Sequence, residues 1–178
     1  VKKRVQPEYQ ARGLRSGSWM FNPTLTAGAL YDSNVFSSNN NKQSDLAARL
    51  GASLHARTLW ERHGIDLQLT SDSLFYRNFP SLNATDVSFK GNGHIDINHE
   101  FTLLTSMQAA YLHNQVGALT SPTGAVEPTP YGLLSGVVTL RRESGRVTTA
   151  AGVRVDSYDY GATRAANGSI INQDSRDG

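Results

Sequence analysis

One stretch of the sequence, residues 44–75, alternates apolar and polar side chains almost without interruption. Leucine or alanine occupies every even position from Leu46 to Ala56. After a polar tetrapeptide at 61–64, the alternation resumes with apolar side chains at the odd positions from Ile65 to Leu69. A period of two residues is typical of a β-strand with one apolar face, and a short polar interruption between two such strands is typical of a hairpin turn. This stretch therefore predicts a long antiparallel hairpin.

The length of the two strands indicates the surroundings of the hairpin. Strands of soluble domains usually have about five or six residues, whereas a tilted strand that crosses a bilayer needs about 9–11. Both halves of the hairpin reach the second figure. Because lipid does not tolerate an unpaired sheet edge, such a hairpin has to belong to a closed barrel that is apolar outside and polar inside. The hairpin thus predicts an all-β, antiparallel transmembrane barrel, with a soluble sandwich or lectin-like sheet as the alternative.

Further strands are predicted on both sides of the hairpin. Their ranges are 19–35, 86–98, 101–113, 131–142 and a segment that begins at Val147. The outward face of the strand at 131–142 is ambiguous, because even positions such as Leu134 are apolar but Leu133 and Val137 are apolar as well.

The connections between the predicted strands alternate between long and short. The long ones cover 36–43, 77–85, 114–129 and 161–178. Outer-membrane barrels have long loops outside the cell and short turns in the periplasm. The order therefore predicts a barrel in the outer membrane of a Gram-negative bacterium, with the amino terminus in the periplasm. Because single-chain bacterial barrels have even strand numbers from eight upward, the odd count indicates the amino-terminal seven or so strands of a larger barrel.

Many aromatic residues fall near the ends of the predicted strands. Membrane barrels place aromatic side chains in girdles at both bilayer surfaces. The candidate girdle residues are Trp19, Phe21, Tyr31, Trp60, Phe75, Phe101, Tyr111 and Tyr131. Outer-membrane lipid is accordingly the expected partner of the outer face.

The opposite parity of the same strands predicts the side chains that line the barrel interior. The candidate lining residues are Asp45, Arg49, His55, Arg57, Asp66, Gln68, Asp72, Lys90, His94, Asp96, Arg154 and Asp156. Two interpretations remain open: a lining whose charges select the solute, or a network of ion pairs that holds the barrel shut. The mixture of both signs argues against strong ion selectivity.

Residues 1–18 are polar and basic, and we predict that they form an extended periplasmic arm, with 19–178 as the barrel portion. The chain has 17 Lys and Arg against 15 Asp and Glu, and the excess lies in this arm. The basic residues of the arm are Lys2, Lys3, Arg4, Arg12 and Arg15. They are suited to contact peptidoglycan or another envelope component. No basic surface interleaved with aromatic residues follows the arm, so we expect no nucleic-acid partner.

The sequence contains none of the motifs that mark a catalytic or metal site. It lacks cysteine, a Gly-x-Ser-x-Gly elbow and a His-Glu-x-x-His helix. Ser53, His55 and Asp66 are suitable triad residue types, but a triad is recognised by its geometry rather than its inventory. The five histidines are scattered without the spacing of metal ligands. We expect neither an enzyme nor a cofactor.

Several short motifs resemble one protein family. They are Pro-Glu-Tyr at 7–9, Tyr-Asp-Ser-Asn-Val-Phe at 31–36 and the turn Trp-Glu-Arg-His at 60–63. In these motifs, and along its whole length, the chain resembles the outer-membrane β-barrel porins of proteobacteria. The resemblance implies an outer-membrane barrel longer than this chain. For such a barrel we expect a porin-like channel or an export conduit for polar solutes or glycans. The alternative is a structural protein that ties the outer membrane to peptidoglycan through the arm.

Overall fold

The computed structural model describes residues 13–172, which form an antiparallel sheet of eight strands paired in chain order. The strands are β1 (Leu14–Ser16), β2 (Trp19–Asp32), β3 (Asp45–Thr58), β4 (His63–Tyr76), β5 (Ala84–Asp96), β6 (Phe101–Asn114), β7 (Thr129–Ser144) and β8 (Val147–Tyr160). A 3-10 helix at Pro80–Leu82 lies between β4 and β5, and a separate small hairpin contains β9 (Thr163–Arg164) and β10 (Ile170–Ile171). Within residues 13–172, no helix is long and apolar enough to cross a membrane.

The hairpin that dominates the sequence is confirmed as β3 and β4. Leu54 lies opposite Leu69, and Ala56 lies opposite Leu67, so the alternating apolar residues of both strands share one face. All the other predicted strands are also present, and β2 to β8 each have 13 to 16 residues. These lengths exceed the span that a tilted membrane strand needs.

The register also settles which face of β7 is apolar. Leu134 of β7 lies opposite Ala109 of β6, which in turn lies opposite Phe89 of β5. The even positions of β7 therefore share the apolar face of the sheet, and Leu133 and Val137 lie on the polar face. A single strand with apolar residues at both parities does not identify its own outward face, because the neighbouring strands decide which face is shared.

The stretch 1–18 that was predicted as an arm ends inside the sheet. Leu14–Ser16 pairs antiparallel with the first three residues of β2. Gly17 makes the tight turn between them with φ of 58°, a left-handed conformation that glycine adopts without steric cost. Residues 1–12, with Lys2, Lys3, Arg4 and Arg12, lie outside the described residues.

The apolar face of the sheet has the dimensions of a membrane-spanning surface. Leu134 and Val138, on a strand that is paired on both sides, are 58% and 51% exposed, so about half of each residue contacts no other part of the described chain. On β2, Phe21 and Tyr31 are ten residues apart on this face. At about 3.3 Å per residue this spacing is about 33 Å along the strand, and a tilt of about 40° projects it to about 25 Å, the height of the apolar band of outer-membrane barrels.

The long connections meet at one end of the sheet and form a small core of their own. Val35, Leu82 and Val116 are buried together, and Phe36, Tyr76 and Phe79 pack against them. We call these six residues the loop cluster. The ring of Phe36 meets that of Phe79 edge-on at 5.1 Å, and the Ser37 hydroxyl donates a hydrogen bond to the Val116 carbonyl. Three loops that are distant in sequence thus form one packed unit.

The short turns lie at the opposite end of the sheet. Gly145 closes the turn between β7 and β8 with φ of 61°. Among the described residues, β8 pairs only with β7, and β1 covers only the start of β2. The sheet of residues 13–172 is therefore open along β8 and along β2 from Asn22 onward.

Candidate functional site

A continuous row of polar side chains crosses the middle of the polar face. Seven directly opposed residues, one on each strand from β2 to β8, form it: Asn22, His55, Gln68, Lys90, Gln108, Ser135 and Asp156. We call this set the polar row. Because the side-chain period of a strand is two residues, a register that aligns one polar position on each strand aligns the flanking polar positions as well. The row makes the polar face hydrophilic across the full width of the sheet.

The residues predicted to line the interior all have the parity of this face. Sequence analysis did not include Asn22, Gln108 and Ser135 among them. The prediction was based mainly on charged residues, and these three are uncharged. In addition, the outward face of β7, which contains Ser135, was ambiguous. Only the pairing of β6 with β7 places Gln108 opposite Ser135.

Six of the predicted lining residues form three close pairs, two of them arginine–carboxylate ion pairs and the third a histidine–carboxylate hydrogen bond. Arg49 Nε lies 2.9 Å from Asp72 Oδ2, His55 Nε2 lies 2.6 Å from Asp66 Oδ2, and Arg154 Nε lies 2.6 Å from Asp156 Oδ2. The Ser135 hydroxyl donates a second hydrogen bond to Asp156. All three pairs keep substantial side-chain exposure, so each contributes little stability. Their main effect is to neutralise charge locally on a wet surface.

The other predicted lining residues have different surroundings. Asp96 accepts a hydrogen bond from the Thr102 hydroxyl at 3.2 Å. Within residues 13–172, the side chains of Arg57 and Lys90 form neither an ion pair nor a hydrogen bond with protein. His94 covers Gly64, where an added Cβ would lie 2.3 Å from the imidazole.

The prediction that Asp45 lines the barrel interior is wrong. Asp45 is 3% exposed beneath the loop at 77–83. Its carboxylate accepts hydrogen bonds from the backbone N–H groups of Asn78 and Phe79 and from the Asn78 amide. A buried carboxylate needs such donors to offset the loss of water. Asp45 therefore anchors a loop at the end of the sheet instead of lining the interior.

Aromatic residues form two bands on the apolar face. At the short-turn end, the rings of Trp19 and Trp60 meet edge-on at 6.3 Å, and Arg142 lies over Phe101 at 5.4 Å. At the loop end, Tyr31, Phe75 and Tyr111 are exposed on the same face. Membrane barrels have aromatic girdles at both bilayer surfaces, and the assignment of these residues to such girdles stays a prediction.

The prediction that Tyr131 belongs to the aromatic girdle is wrong, because this residue lies on the polar face. It is directly opposite Tyr160, and the two rings stack at 5.6 Å with an interplanar angle of 26°. The residue was included for its position near a strand end, but the odd parity of β7 turns it away from the apolar face. Tyr158 adds a third ring, 6.5 Å from that of Tyr160 and at 15° to it.

A polar cavity lies between the loop cluster and the polar face. Its volume is about 70 Å³, and its walls include Asp32, Ser37, Asp72, Asp86 and His113. Asp86 and His113 form an ion pair at 2.9 Å. In the described part of the chain, no group of three or more His, Asp or Glu residues is arranged to hold a metal ion.

Arg15 is the one residue of the predicted contact set that falls within the described range. Its guanidinium donates a hydrogen bond to the Gly17 carbonyl at 3.2 Å, and its side chain is exposed. This places a single positive charge at the short-turn end of the sheet.

Comparison with known proteins agrees with this geometry. Neither curated proteins nor solved structures gave a match. The family model described as "Putative beta-barrel porin 2" matches residues 6–178, almost the whole chain. The resemblance found in the sequence is thereby confirmed, and the open antiparallel sheet is part of a porin-like barrel. The chain belongs to this family of β-barrel porins.

Proposed function

We propose that this protein lies in the outer membrane of a Gram-negative bacterium and forms a passive, water-filled channel for polar solutes, glycans included, without catalytic activity. The polar row carries the proposal, because hydrophilic side chains on all seven long strands suit a wet interior rather than a packed one. The apolar face, bordered by aromatic bands, suits lipid. Export of a glycan and uptake of a small solute use the same conduit.

The ion pairs on the polar face support a channel of weak ion selectivity. Arg49 and Arg154 each neutralise a carboxylate on this wall, and His55 lies 2.6 Å from Asp66. Charges in pairs exert little field at a distance in water, since opposite contributions cancel and salt screens the remainder beyond about 10 Å. Lys90 and Arg57 have no such partner among the described residues, so their charges are the ones that a passing ion senses most, and Lys90 is the one that belongs to the polar row.

We further propose that additional strands close the barrel along β8 and β2. Backbone N–H and C=O groups at an open sheet edge would cost several kcal/mol each in the hydrocarbon region. β8 has 14 residues along such an edge. Strands that pair with β8 at one side and with β2 at the other remove this cost.

The test is conductance of the native protein, purified in detergent and inserted into a planar bilayer. We expect discrete current steps and a reversal potential close to zero in a salt gradient. In Lys90→Glu the reversal potential should shift toward cation selectivity, because the only unpaired charge of the polar row changes sign. Arg62→Glu, which makes the same change of charge in an exposed turn, should leave it nearly unchanged.

A preparation that inserts but gives no steps would refute the channel. In that case, co-sedimentation of the protein with peptidoglycan would support the alternative, a structural protein tied to the cell wall through the arm at 1–18. If the native protein, Lys90→Glu and Arg62→Glu all give current steps with the same reversal potential, the current passes along a route other than the polar face.

A further inference from the structure

Three tyrosine rings form a stacked ladder on the polar face, near the loop end of the sheet. Tyr131 of β7 and Tyr160 of β8 are directly opposite, and Tyr158 is the next residue of β8 on the same face. The centroid distances along the ladder are 5.6 Å and 6.5 Å, with interplanar angles of 26° and 15°. We call these three residues the tyrosine ladder.

Packing alone does not account for the ladder. A cross-strand aromatic pair such as Tyr131 and Tyr160 stabilises a sheet modestly. Tyr158 extends the pair in the strand direction and is 47% exposed on β8, the open edge of the described sheet. Contact with the membrane does not explain these aromatic rings either, because the candidate girdle residues are on the opposite face of the sheet. The ladder adjoins apolar side chains on this face, since Leu112 lies opposite Tyr131 and Leu133 lies opposite Tyr158, and it presents ring surface at the mouth of the interior.

The charged groups around the ladder are carboxylates, apart from His113 and from Arg154, which lies near Tyr158 and pairs with Asp156. Asp86 lies close enough to Tyr131 for an electrostatic interaction, and one of its oxygens accepts a hydrogen bond from His113. Asp32 and Asp72 line the adjoining cavity together with Asp86. Arginine and lysine, which phosphate and carboxylate ligands require, are absent from the described lining of this cavity. The surroundings therefore disfavour an anionic ligand.

This combination matches the chemistry of a neutral sugar. A pyranose ring has an apolar face of C–H groups that stacks on the electron-rich face of an aromatic ring, and its hydroxyls donate hydrogen bonds to carboxylates and tyrosine hydroxyls. Three near-parallel rings in series offer contacts to successive sugar units. The half-exposed carboxylate of Asp86 supplies an acceptor beside them.

We propose that the tyrosine ladder is a stacking subsite for neutral oligosaccharides at the loop-end mouth of the barrel. This inference rests on the proposed function, because it names the class of solute that the channel receives. The ladder holds a sugar chain against the wall through ring contacts that tolerate small shifts, so the chain can advance from one ring to the next.

The test is isothermal titration calorimetry of the native protein in detergent with maltohexaose, cellohexaose, chitohexaose and mannohexaose. We expect at least one of the four to bind. Removal of one ring, in Tyr158→Ala or Tyr160→Ala, should raise its dissociation constant about tenfold, the loss typical of one ring that stacks on a ligand. Tyr158 is the safer site because its ring is half exposed, and heat-dependent migration on a denaturing gel checks that each variant folds.

Tyr31→Ala is the matched control. Tyr31 is also a tyrosine at the loop end, but it lies on the apolar face and is 69% exposed. This variant should bind the sugar as tightly as the native protein. The conservative variant Tyr160→Phe keeps the ring and should retain most of the affinity.

Three outcomes would overturn the proposal: none of the four hexasaccharides binds, the alanine variants bind as tightly as the native protein, or spermidine binds where no sugar does. The last would assign the acidic mouth to cationic ligands. Calorimetry does not depend on ion flow. If the protein binds sugar but gives no conductance steps, the channel is refuted and the sugar subsite is supported. If it gives steps but binds no sugar, the subsite is refuted and the channel is supported.

Discussion

The loop cluster and the sheet of this protein are stabilised in different ways. Val35, Leu82 and Val116 are between 5% and 9% exposed, as in the core of a small soluble protein. Leu134 and Val138, in the sheet on a strand that is paired on both sides, are 58% and 51% exposed. The hydrophobic residues of the loops exclude water by packing on one another, whereas those of the sheet lack such packing in the described chain, which supports the proposed contact with lipid.

The carboxylates show the same contrast. Asp45 is buried and accepts hydrogen bonds from two residues of the loop at 77–83, so its surroundings are fixed by protein donors. Asp72 pairs with Arg49 on the open polar face, where both side chains remain exposed to water. A polar group thus has a structural role at the loop end and a mainly electrostatic role on the wall.

The largest expected effect is that of a charge placed on the apolar face. Leu69 lies near the middle of the apolar band on β4, and Leu69→Lys should destabilise the inserted protein by about 2–4 kcal/mol, the cost of a lysine at the bilayer midplane. Urea unfolding of the protein in lipid vesicles measures this loss of stability. Gln68→Lys, the adjacent residue on the polar face, should cost less than about 1 kcal/mol. Equal costs would show that the two faces do not separate lipid from water.

A smaller effect is expected from a cavity in the loop cluster. Leu82→Ala removes a side chain that is 5% exposed, and local opening of the loops should become easier by about 2 kcal/mol, the lower end of the range for such truncations because surface loops can collapse. Amide hydrogen exchange of residues 77–83 should accelerate roughly 30-fold. Leu25→Ala, on the apolar face, should not change this exchange. Unaltered exchange in Leu82→Ala would contradict a packed core among the loops.

The smallest effect is expected from an ion pair of the wall. Arg49→Ala breaks the pair with Asp72, whose side chains are 58% and 37% exposed, and it should lower the free energy of unfolding by less than about 1 kcal/mol. The reversal potential should still shift toward cations, because Asp72 loses its neutralising partner. A loss of stability comparable to that of Leu69→Lys would favour the interpretation in which ion pairs hold the barrel shut.

Much of the fold could be predicted from the sequence because a strand turns successive side chains to opposite faces. The alternation at 44–75 predicted β3 and β4, and the order of long and short connections predicted which ends of the strands meet. Polar positions such as His55 and Asp66 were assigned to one face from parity alone, and the structure adds that they form a pair at 2.6 Å.

The sequence did not predict the surroundings of a residue where a strand has apolar residues at both parities, or where a loop covers the residue. β7 has apolar residues at both parities, so Tyr131 was assigned to the girdle although it stacks on Tyr160. Asp45 had the parity of the polar face, but the loop at 77–83 covers it. Neither error could be avoided from one strand, because each depends on a neighbour that is distant in sequence.

The sequence by itself determined the class of the protein, its long strands, its two chemically distinct faces and the end at which the loops lie, because these follow from a local period of two and from strand length. Only the tertiary structure decided the register, the polar row, the loop cluster and the tyrosine ladder. These features arise where residues up to 79 positions apart come into contact, and hydrogen bonds between strands, rather than local conformational preference, fix which residues meet.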